Sequence, residues 1–196
     1  MKAILLMLGM MFSVCLQLHA QEIQVGHPSE DVVMSYAEQL VRKFEFSVIN
    51  AANCKDCEFD IPALLRQSFA PGATIEVSNI SMDKKDIATT VRIDTLDAGV
   101  YYQNLLNLKK DGVYDKMPIK FFPMSATSRM INCFDNGCAI EFPIDQMTAC
   151  YKNNKLVYGD MTVKMIWITF SQNASGKYEV LIRKITVVET KKLSKK

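Results

Sequence analysis

The chain has 196 residues, with 23 lysines and arginines against 21 aspartates and glutamates, so its formal net charge is +2 at pH 7. This near balance excludes a polybasic protein that binds nucleic acid or a membrane surface. With 8 glycines and 6 prolines the chain is neither collagenous nor linker-like. Its length fits one domain with a sizeable core.

The first twenty residues have the three regions of a secretory signal peptide. Lys2 supplies the positive region, residues 3–16 are almost unbroken apolar, and a polar stretch ends at the small residue Ala20. We expect cleavage after Ala20, a secreted or periplasmic location and no stable membrane insertion afterwards. An uncleaved N-terminal anchor is the alternative. A lipoprotein acylated at Cys15 is disfavoured because Val14, which is not a small residue, precedes it.

The chain that remains after removal of the signal peptide is predicted to have three parts. Residues 21–28 are predicted to be a short N-terminal arm, residues 29–190 a single domain, and residues 191–196 a basic disordered tail. An exported compartment permits disulfides. The remaining number of cysteines is odd, so at least one thiol is free or pairs between chains; these cysteines are Cys54, Cys57, Cys133, Cys138 and Cys150.

A long amphipathic helix is predicted at the start of the domain. Ser29 offers a capping hydroxyl, and Glu30 and Asp31 stand beside the positive end of the helix dipole. Apolar residues then recur every three or four positions for roughly five turns; they are Val33, Tyr36, Ala37, Leu40, Val41, Phe44 and Val48.

Two shorter helices are predicted after it. The second spans residues 60–69, with Asp60 as its cap and Pro62 in its first turn. The third is capped by Thr95 or Asp97, runs through residue 108 and stops at Gly112. Its inward residues are expected to be Val100, Tyr101, Leu105 and Leu108.

Strands dominate the rest of the domain. Residues 73–80 alternate as a strand does, and residues 87–93 suit either a strand or a loop. Turn signals at residues 135–137, 152–154 and 172–176 separate long β-rich runs, which are Ile119 to Phe134, Cys138 to Thr148, Lys155 to Phe170 and Lys177 to Thr190.

Two of these runs, residues 161–170 and 178–188, are apolar on both alternating faces. Both faces of the sheet are therefore expected to be covered. Helices would cover one face, and a second copy of the chain, in a homodimer, would cover the other. The alternatives are that the bent sheet folds over both faces, or that the N-terminal arm and the loop at Asn153 cover the second one.

This order of elements resembles the nuclear transport factor 2-like superfamily, which includes the SnoaL-like and ketosteroid-isomerase-like proteins. The closest resemblance lies in residues 64–78, where a helix ends at Phe69 and a turn, Ala70-Pro71-Gly72-Ala73, leads into a strand. The resemblance implies an α+β cone, or cystatin-like roll, and the signal peptide followed by Gln21 indicates an exported bacterial member. In it, three N-terminal helices would pack on a strongly bent antiparallel sheet, with a pocket between them.

The catalytic members of that superfamily use interior Asp, Tyr or His side chains. His27 lies before the first helix, which disfavours the histidine-dependent subset. The resemblance makes Tyr36 on the first helix a candidate oxyanion donor, although a buried tyrosine at helical spacing equally suits a core position. Glu141 and Asp145 are the candidate carboxylates, and a surface position explains both equally well.

The cysteines allow several interpretations. If Phe134 to Gly137 form a hairpin loop, Cys133 and Cys138 face each other closely enough for a disulfide. Cys54 and Cys57 form a C-x-x-C motif, which suits a local disulfide or a redox pair. All four could bind zinc as thiolates, but an exported compartment favours disulfides. Cys150 would then be the spare thiol.

Three functions are therefore carried forward. The first is an exported, non-enzymatic module that binds an unidentified small molecule or protein. The second is a small isomerase or dehydratase that uses Tyr36 and an interior carboxylate. The third is a thiol–disulfide protein that uses Cys54 and Cys57. No cofactor, metal or nucleic acid is expected, and an interior carboxylate in a deep pocket would favour the enzyme.

Overall fold

The computed structural model describes residues 29–54, 58–80, 91–123, 130–134, 137–173 and 175–193. The predicted signal peptide, the N-terminal arm, Cys57 and the turn over residues 81–86 lie outside them. The elements in chain order are α1 (Glu30–Asn53), α2 (Ile61–Ser68), β1 (Phe69–Ile80), β2 (Val91–Asp97), α3 (Ala98–Lys110), β3 (Ile119–Pro123), β4 (Met130–Phe134), β5 (Gly137–Lys152), β6 (Lys155–Gln172) and β7 (Tyr178–Lys192). None of the helices in these ranges combines the length and apolar character needed to span a membrane.

The strands form one strongly curved sheet in the order β2-β1-β7-β6-β5-β3, and β4 also pairs with β5. The pairings are antiparallel except that of β1 with β7, which is parallel. The predicted antiparallel sheet is therefore mixed. The register between β6 and β7 shifts at Val163/Lys164 and again at Trp167/Ile168. Such bulges bend a strand and increase its twist.

Capping decides where the shorter helices begin. Asp60 Oδ1 accepts the backbone N–H of Ala63 at 2.8 Å, as predicted for α2. Asp97, rather than Thr95, caps α3, because its Oδ1 accepts the backbone N–H of Gly99 at 2.7 Å. Ser29 occupies the N-cap position of α1, but its side chain makes no capping hydrogen bond.

Several predicted boundaries are corrected. The run over residues 119–134 contains two strands, β3 and β4, and residues 124–129 between them lie outside the described ranges. Strand β1 starts at Phe69, four residues before the predicted start at Ala73. Strand β7 extends to Lys192, and Leu193 donates to the carbonyl of Gly159, so the start of the predicted tail belongs to the sheet.

The core lies between the concave side of the sheet and the helices. Phe44 of α1 packs edge-on against Phe69 and Phe121, with ring centroids 6.5 and 6.0 Å apart. From α3 the core receives Tyr101, Tyr102 and Leu105, whereas Val100, predicted to point inward, is 48% exposed. Tyr102 is fully buried, and its hydroxyl is hydrogen-bonded to Ser47 of α1.

Candidate functional site in the cone cavity

The inward face of β6 changes character along its length. Its even-numbered residues point toward the helices, because side chains alternate along a strand and these positions are the buried ones. Ile166, Ile168 and Phe170 are apolar and belong to the core. Toward the start of the same strand, the equivalent positions hold polar or charged side chains, namely Tyr158, Asp160, Thr162 and Lys164.

These polar side chains line a cavity of about 160 Å³. Apolar residues of β1, α3 and the segment leading into β3 form much of its wall: Val77, Leu105, Leu108, Met117 and Ile119. The polar and aromatic lining consists of Ser78, Asn79, Tyr101, Tyr114, Gln146, Thr148, Cys150, Tyr158, Asp160, Thr162 and Lys164. The site therefore combines an apolar wall with a polar floor, as small-molecule sites commonly do.

Asp160 is the carboxyl group of this floor and is 4% exposed. Its Oδ2 lies 2.6 Å from the Tyr158 hydroxyl and accepts a hydrogen bond from Ser78 Oγ at 3.2 Å. Its Oδ1 is buried and has no hydrogen-bond partner among the described residues. Burial raises the pKa of Asp160, while Tyr158, Ser78, Lys164 and Thr148 act in the opposite direction.

Lys164 is the cation of the cavity and is 3% exposed. Its Nζ donates to the backbone carbonyl of Glu76 at 3.2 Å and lies 5.9 Å from the centroid of the Tyr101 ring. Burial lowers the pKa of Lys164 to about 8, although Asp160 and Glu76 favour the charged form. Within the described ranges, the ion pairs closer than 4 Å do not include one between Lys164 and Asp160.

The neighbouring hydroxyl and thiol groups remain protonated at neutral pH. Burial raises the pKa of Tyr101 and of Tyr158, and Asp160 raises both further. Burial also raises the pKa of Cys150 to about 12, even though Tyr114 forms a hydrogen bond with it. Cys150 is the free cysteine of the described residues, and as a buried neutral thiol it is unreactive.

A wider space of about 730 Å³ adjoins the cavity between β1, β2 and α3. The two spaces share the lining residues Val77, Asn79, Tyr101, Leu105 and Leu108. The rim of the wider space carries polar groups, among them Arg92, Asp94, Asn104 and Asn107. We call the smaller space the cone cavity and the larger adjoining space its mouth.

The structure does not bring the three predicted catalytic candidates together. Tyr36 is partly buried against the core and does not line the cavity. Glu141 and Asp145 occupy odd positions of β5, which alternate with the buried inward positions Ile140, Ile144 and Gln146. They therefore lie on the outer face of the sheet, where Glu141 pairs with Trp167 and Asp145 with Val163.

The interior carboxylate is instead Asp160, which the sequence analysis did not single out. A signal for it exists in the sequence. Extending the period of two backward from Ile166 places Lys164, Thr162 and Asp160 on the core-facing side of the strand. Burying a charged residue is costly unless it is paired or hydrogen-bonded, so two of them on the core-facing side indicate a candidate site.

The predicted hairpin disulfide joins Cys133 and Cys138, which pair directly across β4 and β5. Cys54 is also disulfide-bonded, so neither these two sulfurs nor Cys54 can serve zinc as thiolates. Within the described ranges, no group of three side chains could hold a metal ion. Cys54 is the C-cap residue of α1, whereas the motif of a thioredoxin-like redox centre stands at the start of a helix.

No family model and no curated protein sequence matches the chain. Among solved structures, the chain is similar to a protein assigned as a scytalone dehydratase from Novosphingobium aromaticivorans, with 8% identity, a TM-score of 0.45 and coverage of 84% of this chain and 90% of that one. A nuclear transport factor 2-like protein from Salmonella enterica serovar Typhimurium shows 12% identity, a TM-score of 0.42 and coverage of 85% and 95%. A nuclear transport factor 2-like protein of unknown function from Pseudomonas aeruginosa shows 11% identity, a TM-score of 0.40 and coverage of 79% and 99%.

These TM-scores are all below 0.5, so no property of these proteins is carried over to this chain. The architecture itself agrees with the one that the sequence resemblance implies. Three helices pack on a single, strongly curved seven-stranded sheet, and a pocket lies between the two layers.

Proposed function

We propose that this protein is an exported ligand-binding module whose cone cavity takes the polar head of a small molecule, while its mouth takes the rest. The observation that carries the proposal is the pair of buried charged residues, Asp160 and Lys164, in one cavity. Each costs stability by being withdrawn from water, and no ion pair within 4 Å joins them. A bound polar ligand would compensate for this cost.

The size of the site supports a small molecule over a protein partner. A cavity of about 150 Å³ holds a six-membered carbon ring, and the cone cavity has about 160 Å³. The mouth, at about 730 Å³, lies within the usual range of small-molecule sites.

A fragment screen by NMR tests this proposal. We expect some members of a library of small polar fragments to shift the backbone amides of β1, α3 and β6 around the cavity. Leu108 lines both the cone cavity and its mouth, so Leu108→Trp should block the passage and abolish these shifts. Val100→Trp is the matched control, because Val100 lies on the same helix, is exposed and lines neither of them. The proposal fails if no fragment binds, or if Leu108→Trp binds fragments as the wild type does.

A second candidate, an isomerase or dehydratase, is favoured by the raised pKa of the Asp160 carboxyl group. A carboxyl group with a raised pKa holds its proton more readily than an ordinary one, as a general acid must. In this enzyme Asp160 would be the acid–base group, and Tyr158, 2.6 Å away, would hold it in position. Tyr36 would have no contact with a substrate in the cavity.

Deuterium exchange at the α-carbons of cyclopentanone in D₂O tests the enzyme candidate without a known substrate. Exchange faster than in buffer, and reduced at least about tenfold by Asp160→Asn, would support it. Glu141→Gln is the matched control, because Glu141 lies on the outer face of the sheet. Exchange that never exceeds the buffer rate would leave the binding module as the better proposal.

A further inference from the structure

The ammonium group of Lys164 has hydrogen-bonding capacity that the protein leaves unused. An ammonium group carries three N–H donors. Within the described ranges, Lys164 Nζ has one hydrogen-bond acceptor, the carbonyl of Glu76 at 3.2 Å. The face of the Tyr101 ring, 5.9 Å away, contributes a weaker attraction. The remaining donors stand in the wall of a cavity in which an anion or acceptor of a ligand can reach them.

The same cavity wall also carries buried acceptor oxygens that have no hydrogen-bond donor among the described residues. Gln146 is 7% exposed, and its Oε1 is buried without a hydrogen-bond partner in the described part of the chain. Asp160 Oδ1 is likewise buried without a hydrogen-bond partner in the described part of the chain. Both oxygens are hydrogen-bond acceptors, so a ligand group that donates a hydrogen bond would satisfy them. Gln146 pairs with Thr162, midway between Asp160 and Lys164.

The cationic donor of Lys164 and the acceptor oxygen of Asp160 are separated along strand β6. Asp160 and Lys164 are four residues apart on the same face of β6, which places their Cα atoms about 13 Å from each other. No direct ion pair joins their side chains. A ligand that lies along the strand would meet a cationic donor at one end and acceptors toward the other.

We propose that the polar head recognised by the cone cavity is a small hydroxycarboxylate, whose carboxylate pairs with Lys164 and whose hydroxyl donates to Gln146 or Asp160. This inference rests on the proposed function and makes it specific. A buried charge-assisted hydrogen bond contributes more than a neutral one, so the carboxylate supplies most of the affinity. The hydroxyl supplies selectivity, because a ligand without it leaves the buried acceptor oxygens without a donor.

Three probes of four carbons each separate the contributions: 3-hydroxybutyrate carries both groups, butyrate only the carboxylate, and 1,3-butanediol only hydroxyls. We expect NMR titration of the wild-type protein to show that 3-hydroxybutyrate binds about tenfold or more tightly than either of the others. Equal affinities for the three probes, or no binding of any, would overturn the proposal. This comparison uses the wild-type protein alone, so it does not depend on whether a variant folds.

Two lysine variants then test the assigned contact. Lys164→Met keeps the length and apolar stem of the side chain but removes the charge, and we expect it to reduce 3-hydroxybutyrate binding to the level of 1,3-butanediol. Lys184→Met is the matched control, because Lys184 stacks on Trp167 and does not line the cavity. Binding unchanged in Lys164→Met would overturn the contact. If fragments still bind in the Leu108-dependent manner, the hydroxycarboxylate proposal alone has failed.

Discussion

Lys164 is a buried charged residue in a row of inward positions that is otherwise apolar toward the end of β6. The inward positions that follow it on β6 are isoleucine and phenylalanine, and an apolar residue of similar size at position 164 would complete that row. Instead a lysine is buried there, with a pKa lowered to about 8. Replacing a buried ion by a well-packed apolar side chain is often stabilising. We infer that this lysine serves ligand binding and that its burial lowers the stability of the fold.

Lys164→Met should therefore raise the free energy of unfolding at pH 7, by roughly 3 kcal/mol if the whole pKa shift is recovered. The group's pKa is lower in the folded than in the unfolded state, so the wild type regains stability as pH rises from about 8 toward 10.5. The difference in free energy of unfolding between Lys164→Met and the wild type should therefore decrease over that pH range. Asp160 and Glu76, which attract the ammonium group, lose this interaction in the variant, and the loss is already counted because the pKa of about 8 is the net result of burial and of their attraction.

Urea denaturation of both proteins at pH 7 and pH 9.5 measures this difference. Cys150 and the buried tyrosines have raised pKa values and destabilise the fold at high pH, but they do so in both proteins and cancel in the comparison. A variant less stable than the wild type at pH 7, or a difference that does not change with pH, would contradict the assigned cost of burying Lys164.

The site could be predicted from the sequence only in part. The period of two identifies which side chains of β6 share a face with Ile166, and so places Asp160 and Lys164 inside. It does not bring Ser78 within 3.2 Å of Asp160, since Ser78 lies 82 residues earlier on β1. Glu141 and Asp145 looked equally suitable in sequence, and only the register of β5 places them on the outer face.

At the scale of elements, the local signals were reliable where one residue decides a backbone conformation. Asp60 and Asp97 cap their helices with direct hydrogen bonds. Gly112, at φ 62°, ends α3, and the turn between β5 and β6 has Asn153 and Asn154 at φ 50° and 58°. The parallel pairing of β1 with β7 joins residues more than a hundred positions apart. No local signal specifies it, because the pairing depends on how the whole sheet curves.

The β4–β5 hairpin is the element whose stability can be tested most directly. The disulfide closes a short loop, because Cys133 and Cys138 have a sequence separation of 5. We expect the double variant Cys133→Ser, Cys138→Ser to lose at most about 2 kcal/mol, because constraining so short a loop removes little chain entropy. Non-reducing peptide mapping should recover the two cysteines together. Cys150→Ala, which leaves the disulfide intact, is the control, and a bridge from Cys133 to any other cysteine would contradict the pairing.

At the scale of the whole molecule, the destination of the chain is a separate prediction. Residues 1–20 have the order of a signal peptide, so the exported protein should begin at Gln21 or its cyclised form. Mass spectrometry of the protein recovered from the exported fraction measures this directly. A full-length chain in the membrane fraction would instead support the uncleaved anchor.

The final prediction concerns the outer face of the sheet. Along β6 the odd-numbered side chains form an apolar ridge that points away from the core and is only half-buried; its residues are Met161, Val163, Met165 and Trp167. The core cluster that includes helix residues involves the opposite face. Neighbouring strands also place Glu141, Asp145 and Lys184 beside this ridge, so the face is more polar than the β6 sequence alone implies.

We still expect a second copy of the chain to cover this ridge. A ridge of four large apolar side chains with charges at its margins has the layout of an interface, with an apolar centre and a polar rim. A stable pair would need about 800 Å² from each copy, which requires the faces of β5 and β7 as well as β6. Sedimentation at micromolar concentrations should show a dimer, and Met165→Glu should dissociate it by placing an unpaired charge at the centre. Val100→Glu on α3 is the control and should remain dimeric; a wild-type protein that stays monomeric as concentration rises would contradict the pairing.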